Sequence, residues 1–216
     1  MNLILTKTYS APPFNIKEIF RYAGCNEPTE EIKALAEECI VECENALSYK
    51  VCYMELPVSI NDDEIDFSAM TVKSKALAKN LSGCHSVIMF AATVGLELDR
   101  LIAKYGRISP SKALILQAIG AERIESLCNT FNSEFKHTRP RFSPGYGDFV
   151  LDAQRDIFRI LDCPRKIGLS LNESLLMSPS KSVTAIIGLS DCDSKHDTNK
   201  CKQCNKKDCS FRSIDK

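Results

Sequence analysis

The sequence predicts an α+β fold, a twisted and mainly antiparallel sheet with flanking helices, on three observations. Strand and helix patterns are intermixed without the regular βαβ alternation that builds parallel sheets. The stretch C-H-S-V-I-M-F-A-A-T-V-G, beginning at Cys84, is the near-continuous apolar run of a central strand, and S-V-T-A-I-I-G-L-S, beginning at Ser182, reads as a final strand. Between them lies the longest helical pattern in the chain, from Ser111 to about Phe135.

Composition bounds the function. With 216 residues, 44% of them apolar and 26% charged, the chain can bury one substantial core. Lys+Arg and Asp+Glu stand at 28 each, so no long-range field draws the chain to nucleic acid or to an anionic membrane. The apolar runs are far shorter than a bilayer span and the N-terminus has no basic start, which leads us to expect a cytoplasmic protein. Of eleven cysteines, Cys192, Cys201, Cys204 and Cys209 crowd the last 25 residues. Accordingly the chain divides into a body, 1–191, whose first 50 or so residues read as mainly helical, and a cysteine-rich tail, 192–216.

In chain order, Asn15 is placed to cap a short helix that Gly24 closes. A longer helix follows Thr29, its stripe of Ile32, Leu35, Ala36, Cys39, Ile40, Cys43, Ala46 and Leu47 recurring at steps of three and four. On such a stripe, Cys39 and Cys43 read as core residues. Residues 50–60 alternate as a strand with Pro57 near its end, and Ile65 and Phe67 mark a weaker strand. Helices are expected over Ser74–Leu81, Leu96–Tyr105 and Ser111–Phe135. After Asp148 another takes Val150, Ile157, Ile160 and Leu161 inward and stops at Pro164. Ile167–Ser170 reads as a short strand, and the segment from Leu171 to Met177 as a turn of helix.

The candidate site is the stretch R-P-R-F-S-P-G-Y-G-D, residues 139–148. Pro140 and Pro144 restrict the residues before them, and Gly145 and Gly147 allow backbone shapes others resist, so this loop is shaped. Arg141 carries a planar fork suited to a carboxylate, and Tyr146 a rigid ring with a polar tip. A solvated Arg and a packing Tyr on an ordinary helix connection would give the same composition.

The segment R-F-S-P-G-Y, Arg141 to Tyr146, resembles the R-x-x-P-G-Y segment of the activation domain of cobalamin-dependent methionine synthase. Downstream, Leu171 to Val183 resembles the stretch leading into that domain's final strand; the resemblance runs from about Ser111 to Leu189. It implies a curved antiparallel body that binds S-adenosylmethionine, Arg141 holding the ligand's carboxylate and the backbone near Ser143 and Gly145 its other polar edges. Tyr146 would lie close to a corrin ring. A helix glutamate of such domains falls at Glu125, or after a one-residue shift at Glu122, and would meet the ligand's amino or ribose groups. No D-x-H-x-x-G cobalamin signature is visible, so the resemblance implies a corrinoid supplied by a partner protein, a methionine synthase or related methyltransferase, and a separate electron donor. The rival reading is a metal-binding interaction or sensor protein that keeps the fold without methyl transfer.

In the tail, the spacing C-x8-C-x2-C-x4-C sits among seven Lys/Arg and four Asp residues, with almost nothing apolar to bury. Four thiolates so placed can close a zinc site or hold an iron–sulfur cluster, with His196 as a spare zinc ligand. Reduced thiols on a solvated tail are the plainer possibility.

Overall fold

The computed structural model describes residues 3–25 and 27–191. In chain order its elements begin with β1 (Leu5–Tyr9), α1 (Ile16–Tyr22), α2 (Glu30–Cys43), a 3-10 turn, β2 (Tyr49–Pro57), β3 (Ser59–Asn61), β4 (Glu64–Asp66) and β5 (Thr71–Lys73). They continue with α3 (Lys75–Asn80), β6 (Cys84–Thr93), α4 (Glu97–Ile108), α5 (Pro110–Asn132), α6 (Ala153–Leu161) and α7 (Cys163–Ile167). The last are β7 (Ser170–Leu171), β8 (Met177–Ser178) and β9 (Ser182–Ser190).

One four-stranded antiparallel sheet, ordered β1-β2-β6-β9, divides the molecule into two cores. Because side chains alternate along a strand, β6 sends Ile88, Phe90 and Ala92 to one face and Val87, Met89 and Ala91 to the other. The first face is covered by α1, α2, α4 and α5. The second lies under α3, α6, α7 and the small β3-β4-β5 sheet. Cys39 and Cys43 are buried in the helical core, as their stripe predicts.

Local chemistry sets the helix starts. Asn15, Thr29 and Ser74 each accept a backbone N–H with the side chain, capping α1, α2 and α3. On α5, Phe131 packs against Phe90 at 5.0 Å and Tyr53 at 5.1 Å between ring centroids. Burying a ring of this kind contributes roughly 1.5–3 kcal/mol and pins the helix's C-terminal turn to the sheet.

Five local expectations are corrected. The N-terminal part is not wholly helical, because Leu5–Tyr9 forms an edge strand whose residues are largely exposed. Pro164 opens a helix instead of stopping one: Asp162, in the left-handed region with φ 49°, ends α6, and the proline stands in the first turn of α7. Val150 lies before α6 and is exposed, whereas Ile157, Ile160 and Leu161 face the second core as expected. Ile167 closes α7, and Leu171–Met177 makes a tight β7-β8 hairpin in place of a turn of helix.

Candidate functional site

The loop predicted from its prolines and glycines is ordered by three anchors. Its first part lies along the free edge of β9, where the Arg139 amide donates to Gly188 O at 2.8 Å and Phe142 and Ile186 exchange backbone hydrogen bonds at 2.9 Å. The middle is a tight turn: Tyr146 N donates to Ser143 O at 3.0 Å, Pro144 holds the second position, and Gly145, φ +90°, the third. That is the geometry of a type II turn, which a side chain at the third position would strain. At the far end Asp148 accepts from the Ser74 hydroxyl and from the amides of Lys75 and Ala76, closing the start of α3. The Ser74 hydrogen bond is the largest cause holding the Asp148 carboxyl below its usual range.

This loop brings Arg141, Ser143 and Tyr146 over the last turns of α5, where they line a cavity of about 410 Å³ with Glu125, Asn129, Asn132, Pro140 and Val183. Arg141 Nη2 donates to Glu125 Oε2 at 2.8 Å. The two side chains are 22% and 45% exposed, so the pair sits at the mouth of the cavity. Burial pushes the nearby Cys128 thiol up to about 12 against the pull of the Arg141 charge, which keeps it neutral. Tyr146 is exposed, its ring edge-on to Phe142 at 5.9 Å. Gly145 shapes the turn and does not line the cavity.

The other candidate acid, Glu122, has a different environment. It is 2% exposed and grips Arg123, which is fully buried, through Arg123 Nε and Nη2. Its Oε1 also accepts from Ser126 Oγ at 2.6 Å and Asn15 N at 3.3 Å. Arg123 in turn donates to the carbonyls of Pro12 and Pro13 and stacks 4.0 Å above the Phe14 ring. Burial opposes the Arg123 charge and the Glu122 bonds outweigh it, leaving the Arg123 pKa above its ordinary value. Both carboxylate oxygens of Glu122 are engaged, and together with Arg123 they tie the N-terminal segment to α5.

Two residues that line the cavity each carry a buried polar atom with no hydrogen-bond partner: Arg141 Nη1, a donor, and Asn132 Oδ1, an acceptor. An adenosyl amino acid carries a carboxylate for the donor and an ammonium or hydroxyls for the acceptor, so the residues present fit such a ligand. Asn129 and Asn132 were not singled out in the sequence. Their spacing on the solvent side of a helix carries no signal until the loop folds over them. Tyr22 of α1 is a further neighbour, its hydroxyl pKa raised by burial and then by the Glu125 charge.

Cys192, Cys201, Cys204, Cys209 and His196 lie outside the described residues. Among the described residues no cluster of His, Cys, Asp or Glu could hold a metal ion, and no helix is long and apolar enough to cross a membrane.

No protein-family model and no curated protein matches the chain. Among solved structures it is similar to one described as the MetH reactivation domain bound to AdoHcy. The two agree with a TM-score of 0.65 over 89% of this chain and 80% of the other, at 15% sequence identity. At that identity the likeness speaks for the fold: the chain is an α+β protein with the architecture of the methionine synthase reactivation domain.

Proposed function

We propose that this chain binds S-adenosylmethionine and assists the reductive methylation that restores an inactive corrinoid cofactor on a partner protein, a methionine synthase or a related corrinoid methyltransferase. The observation that carries the reading is the convergence of Arg141, Glu125, Ser143 and Tyr146 on one cavity of a reactivation-domain fold. In this role Arg141 takes the ligand's carboxylate, Glu125 its amino or ribose groups, and the turn from Ser143 to Tyr146 presents its polar edges. Tyr146, exposed beside the cavity, faces the incoming corrinoid. The bound ligand supplies the methyl group, the partner's cobalt accepts it, and an electron comes from a separate donor. The protein contributes position and electrostatics. A cytoplasmic location suits this chemistry.

Calorimetry with S-adenosylmethionine tests the reading. Saturable binding by the intact chain, weakened in Arg141→Ala, is expected, and no binding would remove it. The tail, 192–216, is proposed as a separate unit in which Cys192, Cys201, Cys204 and Cys209 hold zinc or an iron–sulfur cluster. Protein purified without oxygen should then carry about one zinc or one cluster per chain, lost in Cys204→Ser, and visible absorbance separates the cluster from zinc. Metal-free protein would leave the tail as reduced thiols.

A further inference from the structure

The mouth of the cavity is closed by a charge pair that the ligand itself could replace. Glu125 reaches Arg141 through one nitrogen, Nη2, and leaves Nη1 without a partner. A carboxylate that meets a guanidinium squarely engages two N–H groups in parallel, so the Glu125 contact uses half of what Arg141 offers. Glu125 is the more exposed partner and the freer to turn, and a part-exposed pair of this kind contributes little stability. Its second oxygen makes no hydrogen bond to another side chain among the described residues, in contrast to Glu122.

We infer that the site selects a zwitterionic amino-acid group by partner exchange: the ligand's carboxylate takes Arg141 from Glu125, and Glu125 turns to the ligand's ammonium. This rests on the adenosyl-ligand reading above and adds the specificity rule. Inserting a zwitterion into an ion pair leaves each charge with an opposite partner, so nothing charged is stranded. A ligand lacking its amine evicts Glu125 and offers it nothing. One lacking its carboxylate meets Glu125 only after the pair is broken, with Arg141 left over. Both truncations are penalised, though neither removes the adenosyl group.

Calorimetry on the intact chain decides, with four probes: S-adenosylhomocysteine, its deaminated analogue, its decarboxylated analogue, and 5′-methylthioadenosine, which has no amino-acid end. Wild type should prefer S-adenosylhomocysteine to either truncated analogue by about tenfold or more. Glu125→Gln should reverse the order of effects, weakening S-adenosylhomocysteine about tenfold while tightening the deaminated analogue about threefold, because Arg141 is no longer occupied. Methylthioadenosine should bind both proteins alike. Glu125→Asp, which keeps the charge and shortens the reach, should weaken S-adenosylhomocysteine without tightening the deaminated analogue, separating lost charge from lost geometry. Equal weakening of all four probes by Glu125→Gln, or unchanged affinity for all, would overturn the exchange and leave adenosyl binding standing. If wild type binds none of the four, the functional proposal fails and the exchange falls with it.

Discussion

Two glutamates three residues apart on α5 each pair with an arginine, and the two pairs differ in almost every physical respect. Glu122–Arg123 is sealed from water, bonded at every oxygen, and tied to the Pro12 and Pro13 carbonyls. Glu125–Arg141 stands at a cavity mouth with one contact and one arginine nitrogen unspent. The first pair is saturated and can only be structural. Its neighbour keeps bonding capacity in reserve, which is what a binding site needs. Residue type is the same in both, and environment alone separates a lock from a receptor.

The comparison is best broken at its buried end. Glu122→Ala leaves Arg123 charged and unpaired in the core, and chemical denaturation should show a loss of about 3–5 kcal/mol. A loss under about 1 kcal/mol would mean the pair is not sealed. At the other end the effect should move from stability to affinity. Arg141→Ala is expected to weaken S-adenosylmethionine by about 2–4 kcal/mol by calorimetry, with the unfolding free energy changed by under about 1 kcal/mol. Tyr146→Phe removes one neutral hydroxyl while keeping the ring, so affinity should fall by less than about 1.5 kcal/mol. The smallest effect concerns pH. Asp148 is held below the usual carboxylate range, so its contribution is complete above the unfolded value of about 3.8 and is lost as pH falls through its lowered value. Melting curves for wild type and Asp148→Asn should therefore differ at neutral pH and converge as the pH falls through that lowered value.

Much of this was legible from the chain. The apolar run from Cys84 and the segment from Ser182 became β6 and β9, the long pattern became α5, and the Pro/Gly spacing of 139–148 gave an ordered turn. What escaped had physical reasons. The edge strand Leu5–Tyr9 is held by backbone pairing to β2 with its side chains largely in water, so it has no apolar alternation to read. Pro164 reads as a stop in sequence, and the left-handed Asp162 two residues earlier reverses its meaning. Nothing in the helical pattern distinguishes Glu122 from Glu125, because the partners that do so, Asn15 and Arg141, arrive from distant segments. For the same reason Asn129 and Asn132 were invisible.

The path of the Arg139–Phe142 segment along β9 has a consequence beyond ligand binding. β9 is the last strand of its sheet, and the backbone groups it would otherwise offer to a stranger are partly taken by Arg139 and Phe142. The loop that holds the site thus also guards an adhesive edge. Substitutions that loosen it, such as a bulky residue at Gly145 or loss of the Asp148 anchor, free unsatisfied amides and carbonyls beside an apolar strand. Such variants should be recovered as self-associated material, and screens for weakened binding will undercount them because the soluble fraction is depleted of the molecules that carry the defect.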